Sequence, residues 1–230
     1  MVFIVGMKVM NNLEVLYEDN HIIVVVKPFN ILSQSDNTKD IDMLTLVKSY
    51  IKEKYNKPGN VYLGLIHRLD RPVGGIMVFA RTSKAASRLS EQVRNHTFKK
   101  TYLAVINGVN LKPKGEFIDY IIKKNDNNSY ITNSKNGKKC KLTYTILCQS
   151  KEKNLSLVEI NLETGRHHQI RVQFASRGHS LYGDQRYGKQ DKKQIALFAH
   201  KLEFIHPVTK KVMCFVKNPP NKAPWKNFKV

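Results

Sequence analysis

Several signatures that would narrow the chemistry of this chain at once are missing. No apolar run approaches the ~18 residues of a membrane-spanning helix, so neither such a helix nor a membrane partner is expected. No P-loop and no GxGxxG pattern announces a nucleotide site. Cysteine is scarce: Cys140, Cys148 and Cys214 are the three, without CxxC spacing. That spacing offers no zinc site, and an odd number of thiols without a secretory signal fits reduced cysteines in a cytoplasm. Histidine does not make up the shortfall, because the adjacent His167 and His168 would diverge on a helix, so no metal is expected. Acidic residues are few as well, 18 against 39 Lys and Arg, for a net charge of +21. The excess is spread in pairs such as Lys99-Lys100, Lys123-Lys124, Lys138-Lys139 and Lys210-Lys211. A distributed excess predicts a broad phosphate-binding surface rather than a detachable tail. No stretch is both basic and strongly amphipathic, which argues against a membrane surface as the partner.

What is present suits one folded domain. The chain has 230 residues, of which 41% are hydrophobic, enough for a substantial core. Residues 1–9 are apolar but lack a small-residue cleavage pattern, and read as an N-terminal extension rather than a signal peptide. Val15-Leu16-Tyr17 and residues 22–26 read as strands, with Lys27-Pro28 closing the second. Ile41, Leu44, Val47, Ile51 and Tyr55 recur at helical spacing, with Asp40 as the expected cap. Residues 83–93 predict a second helix, with Leu89 and Val93 on one face. Residues 141–147 and 155–162 alternate with period two and predict antiparallel strands. Residues 164–178 read as a third helix, with Thr164 near its start and Gly178 at its end. The Asn- and Lys-rich residues 123–139 predict a long exposed hairpin or a mobile loop. Residues 196–205 and 212–216, split by His206-Pro207, predict a closing hairpin. Helices set among hairpins, without βαβ alternation, predict an α+β fold: a mostly antiparallel mixed sheet flanked by helices.

One stretch concentrates chemistry. His67-Arg68-Leu69-Asp70-Arg71-Pro72-Val73-Gly74-Gly75 sets a single carboxylate between two arginines, before a proline and two glycines. Apolar runs at 61–66 and 76–80 flank it and read as strands, so Asp70 falls at a strand-to-strand crossover. Alone, an Asp-Arg-Pro would be an exposed turn acid. The segment resembles the catalytic HRLDR motif of the RluA-type pseudouridine synthases. Lys100-Thr101-Tyr102-Leu103-Ala104-Val105 is similar to that family's KxYxAxV strand. Residues 162–172, with Thr164-Gly165-Arg166-His167-His168-Gln169-Ile170-Arg171, resemble its LxTGRxHQIR motif. Gly183-Asp184-Gln185-Arg186-Tyr187-Gly188 resembles its GDxxYG. Lys27-Pro28 and His206-Pro207 match further short signatures, and all stand in family order across about residues 13–219. The departures are Asn30 for a usual Gly, which Asn's tolerance of left-handed backbone accommodates, Val73-Gly74 for Thr-Ser, His167 for Thr, and Gln173 and Ser180 for His and Pro.

The resemblance implies an isomerase that converts uridine in RNA to pseudouridine on a pseudouridine synthase catalytic fold over residues 13–219. Residues 1–12 would be an extension and 220–230 a tail, without the family's S4 domain. It implies Asp70 as the essential carboxylate, Tyr102 as the aromatic that stacks the uracil, and Arg171 as the cation that holds Asp70. By spacing alone Tyr102 is an ordinary core tyrosine and Arg171 a helix-surface phosphate contact. Arg68, Arg71, Arg166, His168 and Gln169 are the implied substrate-binding residues: Arg68 would fill the gap left by a flipped base or touch a phosphate, and Arg71 also reads as structural. His67 reads as a support residue, and Gly165, Gly183 and Gly188 as backbone devices. The reaction is redox-neutral and asks for no cofactor. The implied partner is a stem-loop of ribosomal or transfer RNA, met by a monomer in the cytoplasm. Two rivals differ in what they require: a non-catalytic RNA-binding module on this fold would have lost Asp70 or Tyr102, and a metal-dependent nuclease would cluster acids or histidines.

Overall fold

Ile22–Lys27 (β2) is a run of β-branched residues ending on a lysine, the composition of a strand buried on both faces. It pairs antiparallel with Val15–Glu18 (β1) on one side and Gly74–Ala80 (β4) on the other. These strands belong to the first of two compact units of a computed structural model that describes residues 13–228. The extension expected over 1–12 lies outside the described residues. The first unit comprises the chain up to Phe98 and Lys201–Lys217. Its helix α1 (Met43–Lys54) begins two residues later than Ile41, and its cap is Asp42, not Asp40. The bridge between Leu32 and Asp42 keeps residue 42 extended, which lets its carboxylate accept the Thr45 amide at 3.2 Å. Asp40 instead pairs with Arg71 at 2.7 Å.

Gly64–Leu65 (β3) is shorter than the apolar run around it. Beyond Leu65 the ring of His67 replaces a ladder rung: its Nε2 accepts the Val78 amide at 3.2 Å. Helix α2 (Ser83–Arg94) starts at Thr82, whose hydroxyl accepts the Ala85 amide. It lays Ala85 and Leu89 on a core of Ile22, Val24, Ile76, Val78, Phe98, Leu202 and Phe204. Each such fully buried side chain contributes about 1.5–3 kcal/mol.

The second unit comprises Lys99–His200 and the chain from Asn218. Its strands are Lys99–Asn107 (β5), Lys114–Lys123 (β6), Ser129–Thr132 (β7), Lys138–Ser150 (β8) and Leu155–Leu162 (β9). They run in the order β5-β9-β8-β6-β7, antiparallel throughout. The rings of Phe117, Tyr144 and Phe174 meet in its core at centroid separations of 4.8 to 5.7 Å. Residues 123–139 are neither one long hairpin nor one loop: β7 pairs with the end of β6 across a turn at 124–128, with Ser129 fully buried beside it, and the chain then crosses to β8 on the other side of β6.

The third helix is much shorter than expected: α3 runs only Gln169–Ala175. Two local bonds hold residues 164–168 out of the helix. Thr164 Oγ1 and the Arg166 amide both donate to Gln169 Oε1, at 2.8 and 3.0 Å, and His168 is left-handed at φ 53°. The chain then enters Leu197–Ile205 (β10), which starts in the second unit and ends in the first, and pairs with Val212–Val216 (β11) as the expected hairpin. The segment expected as a tail carries buried Trp225 and Phe228. Among the described residues no helix is long and apolar enough to cross a membrane.

Candidate active site

In the first unit, Asp70 sits in the loop between β3 and β4, closed by the Val73 amide donating to the Asp70 carbonyl at 2.9 Å. Two buried polar side chains fix the backbone on either side of it. Ser33 Oγ donates to the Leu69 carbonyl at 2.7 Å and accepts the Leu69 amide at 3.0 Å. Lys27, with no exposed surface, donates through Nζ to the carbonyls of Pro28, Arg71 and Val73 at 3.0, 3.0 and 2.7 Å. All three ammonium protons are thereby used on backbone. Burial pushes the Lys27 ammonium down to about 7, and the negative charge of Asp70 opposes that shift. The left-handed Asn30 (φ 64°) makes the turn that a glycine would make. Arg68 is exposed and makes no hydrogen bond or ion pair with the described residues, whereas Arg71 is half-exposed and tied to Asp40. His67 packs its ring against Phe98 at 5.4 Å, a support role.

In the second unit, Tyr102 is a buried residue of β5 opposite Ile160 on β9. Arg171 is buried on α3, so it is no helix-surface cation. It grips Asp184 in a two-pronged pair, Nε to Oδ2 at 2.9 Å and Nη2 to Oδ1 at 2.7 Å. Asp184 Oδ1 also accepts the amides of Arg186 and Tyr187. Burial alone would push this carboxyl up, but Arg171 and the two amides hold it below the usual range. Tyr187 joins the GDxxYG turn to α3 and to β7: its hydroxyl meets His168 Nδ1 at 2.8 Å and accepts the Ser129 amide at 2.7 Å. Ser129 Oγ in turn donates to the His167 carbonyl and meets His167 Nδ1. Because residues 167 and 168 are not helical, the two imidazoles do not diverge; they stack with centroids 3.7 Å apart. Among the described residues no group of three or more His, Cys, Asp or Glu is placed to hold a metal.

The structure therefore joins His168 and Arg171 in one network with Asp184, Tyr187 and Ser129, and ties Gln169 and Arg166 separately to Thr164, Lys139 and Lys141. It sets Asp70, Arg68 and Arg71 on one loop. Gly183 is needed for geometry: it is at φ 72°, and a Cβ there would collide with the carbonyl oxygen of Gln194. Gly165 is not, since its φ is ordinary and a Cβ would meet only Lys100 Nζ, at 3.5 Å. Sequence reasoning leaves Ser33, Ser129, Lys27 and Asp184 without roles. The signals for Lys27 are its place in the Lys27-Pro28 signature and a charged residue closing an otherwise apolar strand.

An antiparallel α+β scaffold that fixes one loop carboxylate and buries an arginine, on a very basic chain, defines an enzyme acting on a polyanion. Residues 21–176 match the family described as RNA pseudouridylate synthase, and the chain belongs to that family. It is accordingly an isomerase that converts uridine in RNA to pseudouridine. A Bacillus subtilis (strain 168) protein named "Uncharacterized RNA pseudouridine synthase YhcT" is 33% identical over 218 residues, 94% of this chain and 71% of that one. The "Ribosomal large subunit pseudouridine synthase D" of Zymomonas mobilis is 31% identical over 223 residues, 90% of this chain and 69% of its own. The solved structure "Human RNA Pseudouridylate Synthase Domain Containing 4" shares the fold with a TM-score of 0.79 at 20% identity, covering 95% of this chain and 94% of that one.

Proposed function

We propose that this chain isomerises specific uridines in a stem-loop of ribosomal or transfer RNA, as a cytoplasmic monomer, with Asp70 as the reacting carboxylate. The observation that carries the reading is the loop around Asp70: Ser33 ties the residue before it and Lys27 the residue after it. A carboxylate that must attack one carbon of a bound nucleotide gains from a backbone that does not move. The relative named as a ribosomal large subunit enzyme favours ribosomal RNA.

The reaction breaks the N1–C1′ bond and forms C5–C1′; the C5 proton is lost and N1 gains one, so no redox partner is required. A base stacked in a helix must be turned out to be reached, which costs a few kcal/mol. Arg68, exposed and unengaged, fits the role of filling the gap that the base leaves. Tyr102 supplies an aromatic face and a hydroxyl, and Arg171 the cation that the family resemblance assigns to the carboxylate. Arg166, His168, Gln169 and Arg71 are the further substrate-binding candidates. The network geometry supports a division among them: Gln169 is buried and acts on the loop, while Arg166 is exposed and available to RNA.

The test is pseudouridine mapping of total RNA from cells lacking the gene, complemented with wild type or Asp70→Asn. Wild type restores the missing sites and names the RNA; Asp70→Asn restores none while still binding that RNA, a loss of at least about a thousandfold in rate. Restoration by Asp70→Asn would remove Asp70 from the chemistry.

A further inference from the structure

Lys100 is the second residue of β5, two before Tyr102, and the alternation of a strand puts both side chains on the same face. Its ammonium makes no hydrogen bond or ion pair with the described residues. Burial lowers its pKa, and no acid acts to raise it. A cation withdrawn from water without a counter-ion is unfavourable for the fold alone, and such a group is retained where a ligand supplies the missing charge.

A second observation points to the same place. Gly165 has ordinary backbone angles and packs against no wall, and the one atom within 4 Å of a Cβ built there is Lys100 Nζ. The absent side chain thus leaves space over an ammonium rather than serving a turn. The next residue in the chain, Arg166, is exposed and has its Nε fixed by the Lys139 carbonyl at 3.1 Å. An ammonium without a counter-ion, facing the opening left by a glycine and followed in the chain by an exposed arginine, suits a phosphate oxygen.

We propose that Lys100 is a substrate-positioning residue: its ammonium takes a backbone phosphate of the RNA next to the uridine being isomerised, in the space that Gly165 leaves open. This rests on the reading of the chain as a uridine isomerase acting on RNA and adds to it a phosphate subsite on the Tyr102 face of β5.

The experiment uses the whole chain and a stem-loop RNA that wild type modifies, made with a single uncharged methylphosphonate at each linkage flanking the target in turn. One neutral linkage lowers wild-type kcat/KM and binding about ten- to a hundredfold, as expected for a charge-assisted contact. Lys100→Met shows the same loss on all-phosphate RNA, and the neutral linkage then costs it nothing more. Its log affinity falls less steeply with log salt, by about 0.7 to 0.9 for one phosphate. Its melting temperature does not fall, because the change removes a desolvated charge; a lysine needed for folding would lower it. Lys100→Arg recovers part of the affinity, and Gly165→Ala, which the fold accommodates, loses affinity without loss of stability. Two results overturn the proposal: Lys100→Met with unchanged kinetics and binding, or losses from the mutation and from every neutral linkage that simply multiply, as contact with the uracil itself would give. If wild type binds the RNA without turning it over, the isomerase reading fails instead, and the binding arm still decides the phosphate contact.

Discussion

Three carbonyl oxygens, rather than an acid, receive the ammonium of Lys27. Its folded pKa of about 7 lies below the ~10.4 of an unfolded lysine. Below pH 7 both states hold the proton and the penalty of burying it is fully present. Between pH 7 and ~10.4 the unfolded chain keeps a proton that the folded chain has shed, so stability rises with pH in that window. Urea unfolding of wild type and Lys27→Met should show wild type gaining stability relative to the mutant from pH 7 to 10; a constant difference would mean that the ammonium stays charged among its carbonyls. Asp184 behaves oppositely. Its carboxylate pairs with buried Arg171, so Asp184→Asn breaks a buried ion pair and should cost about 3–5 kcal/mol in denaturant midpoints at pH 7. Because the folded pKa of Asp184 is depressed, the stability it contributes is present above the unfolded value and is lost as pH falls through the folded one. The gap between wild type and Asp184→Asn should therefore close in acid.

At the level of elements, α1 offers a direct comparison of two nearby aspartates. Asp42→Ala removes the cap and should cost about 0.5–2 kcal/mol. Asp40→Ala removes only a half-exposed pair with Arg71 and should cost about 0–1 kcal/mol. Equal midpoint shifts would mean that the helix start is misplaced. The pair also shows where sequence reading stops. Apolar periodicity located α1 and α2, and period-two alternation located β8 and β9. The choice between Asp40 and Asp42 as cap depends on the bridge from Leu32, a contact made ten residues away. The overlong third helix failed for a similar reason: Thr164 and Gly178 are credible ends, but Gln169 folds its own carboxamide back on the preceding turn. Asp70, Tyr102 and Arg171 were singled out by residue type and motif order. The roles of Ser33, Ser129 and Lys27 were not legible, because each acts on backbone atoms that no pattern of side chains reports.

For the molecule as a whole, the charge of +21 predicts strongly salt-dependent RNA binding. Each phosphate neutralised adds about −0.7 to −0.9 to the slope of log affinity against log salt, and at least about four contacts are expected. A flat titration would make the lysines a solubility feature. The division of the chain into two units carries a consequence of another kind. The first unit's core includes Leu202 and Phe204, with Met213 and Phe215 against it, yet its other strands lie before Phe98. On a ribosome adding ~5–20 residues per second, β1, β2 and β4 must wait roughly 5–20 s for β10 and β11 to be made. Strands β5 to β9 follow one another without interruption and can pair as they emerge. The loop that carries Asp70 is thus synthesised early and locked late, and nascent chains halted before Lys201 should expose that loop to protease while β5 to β9 already resist it.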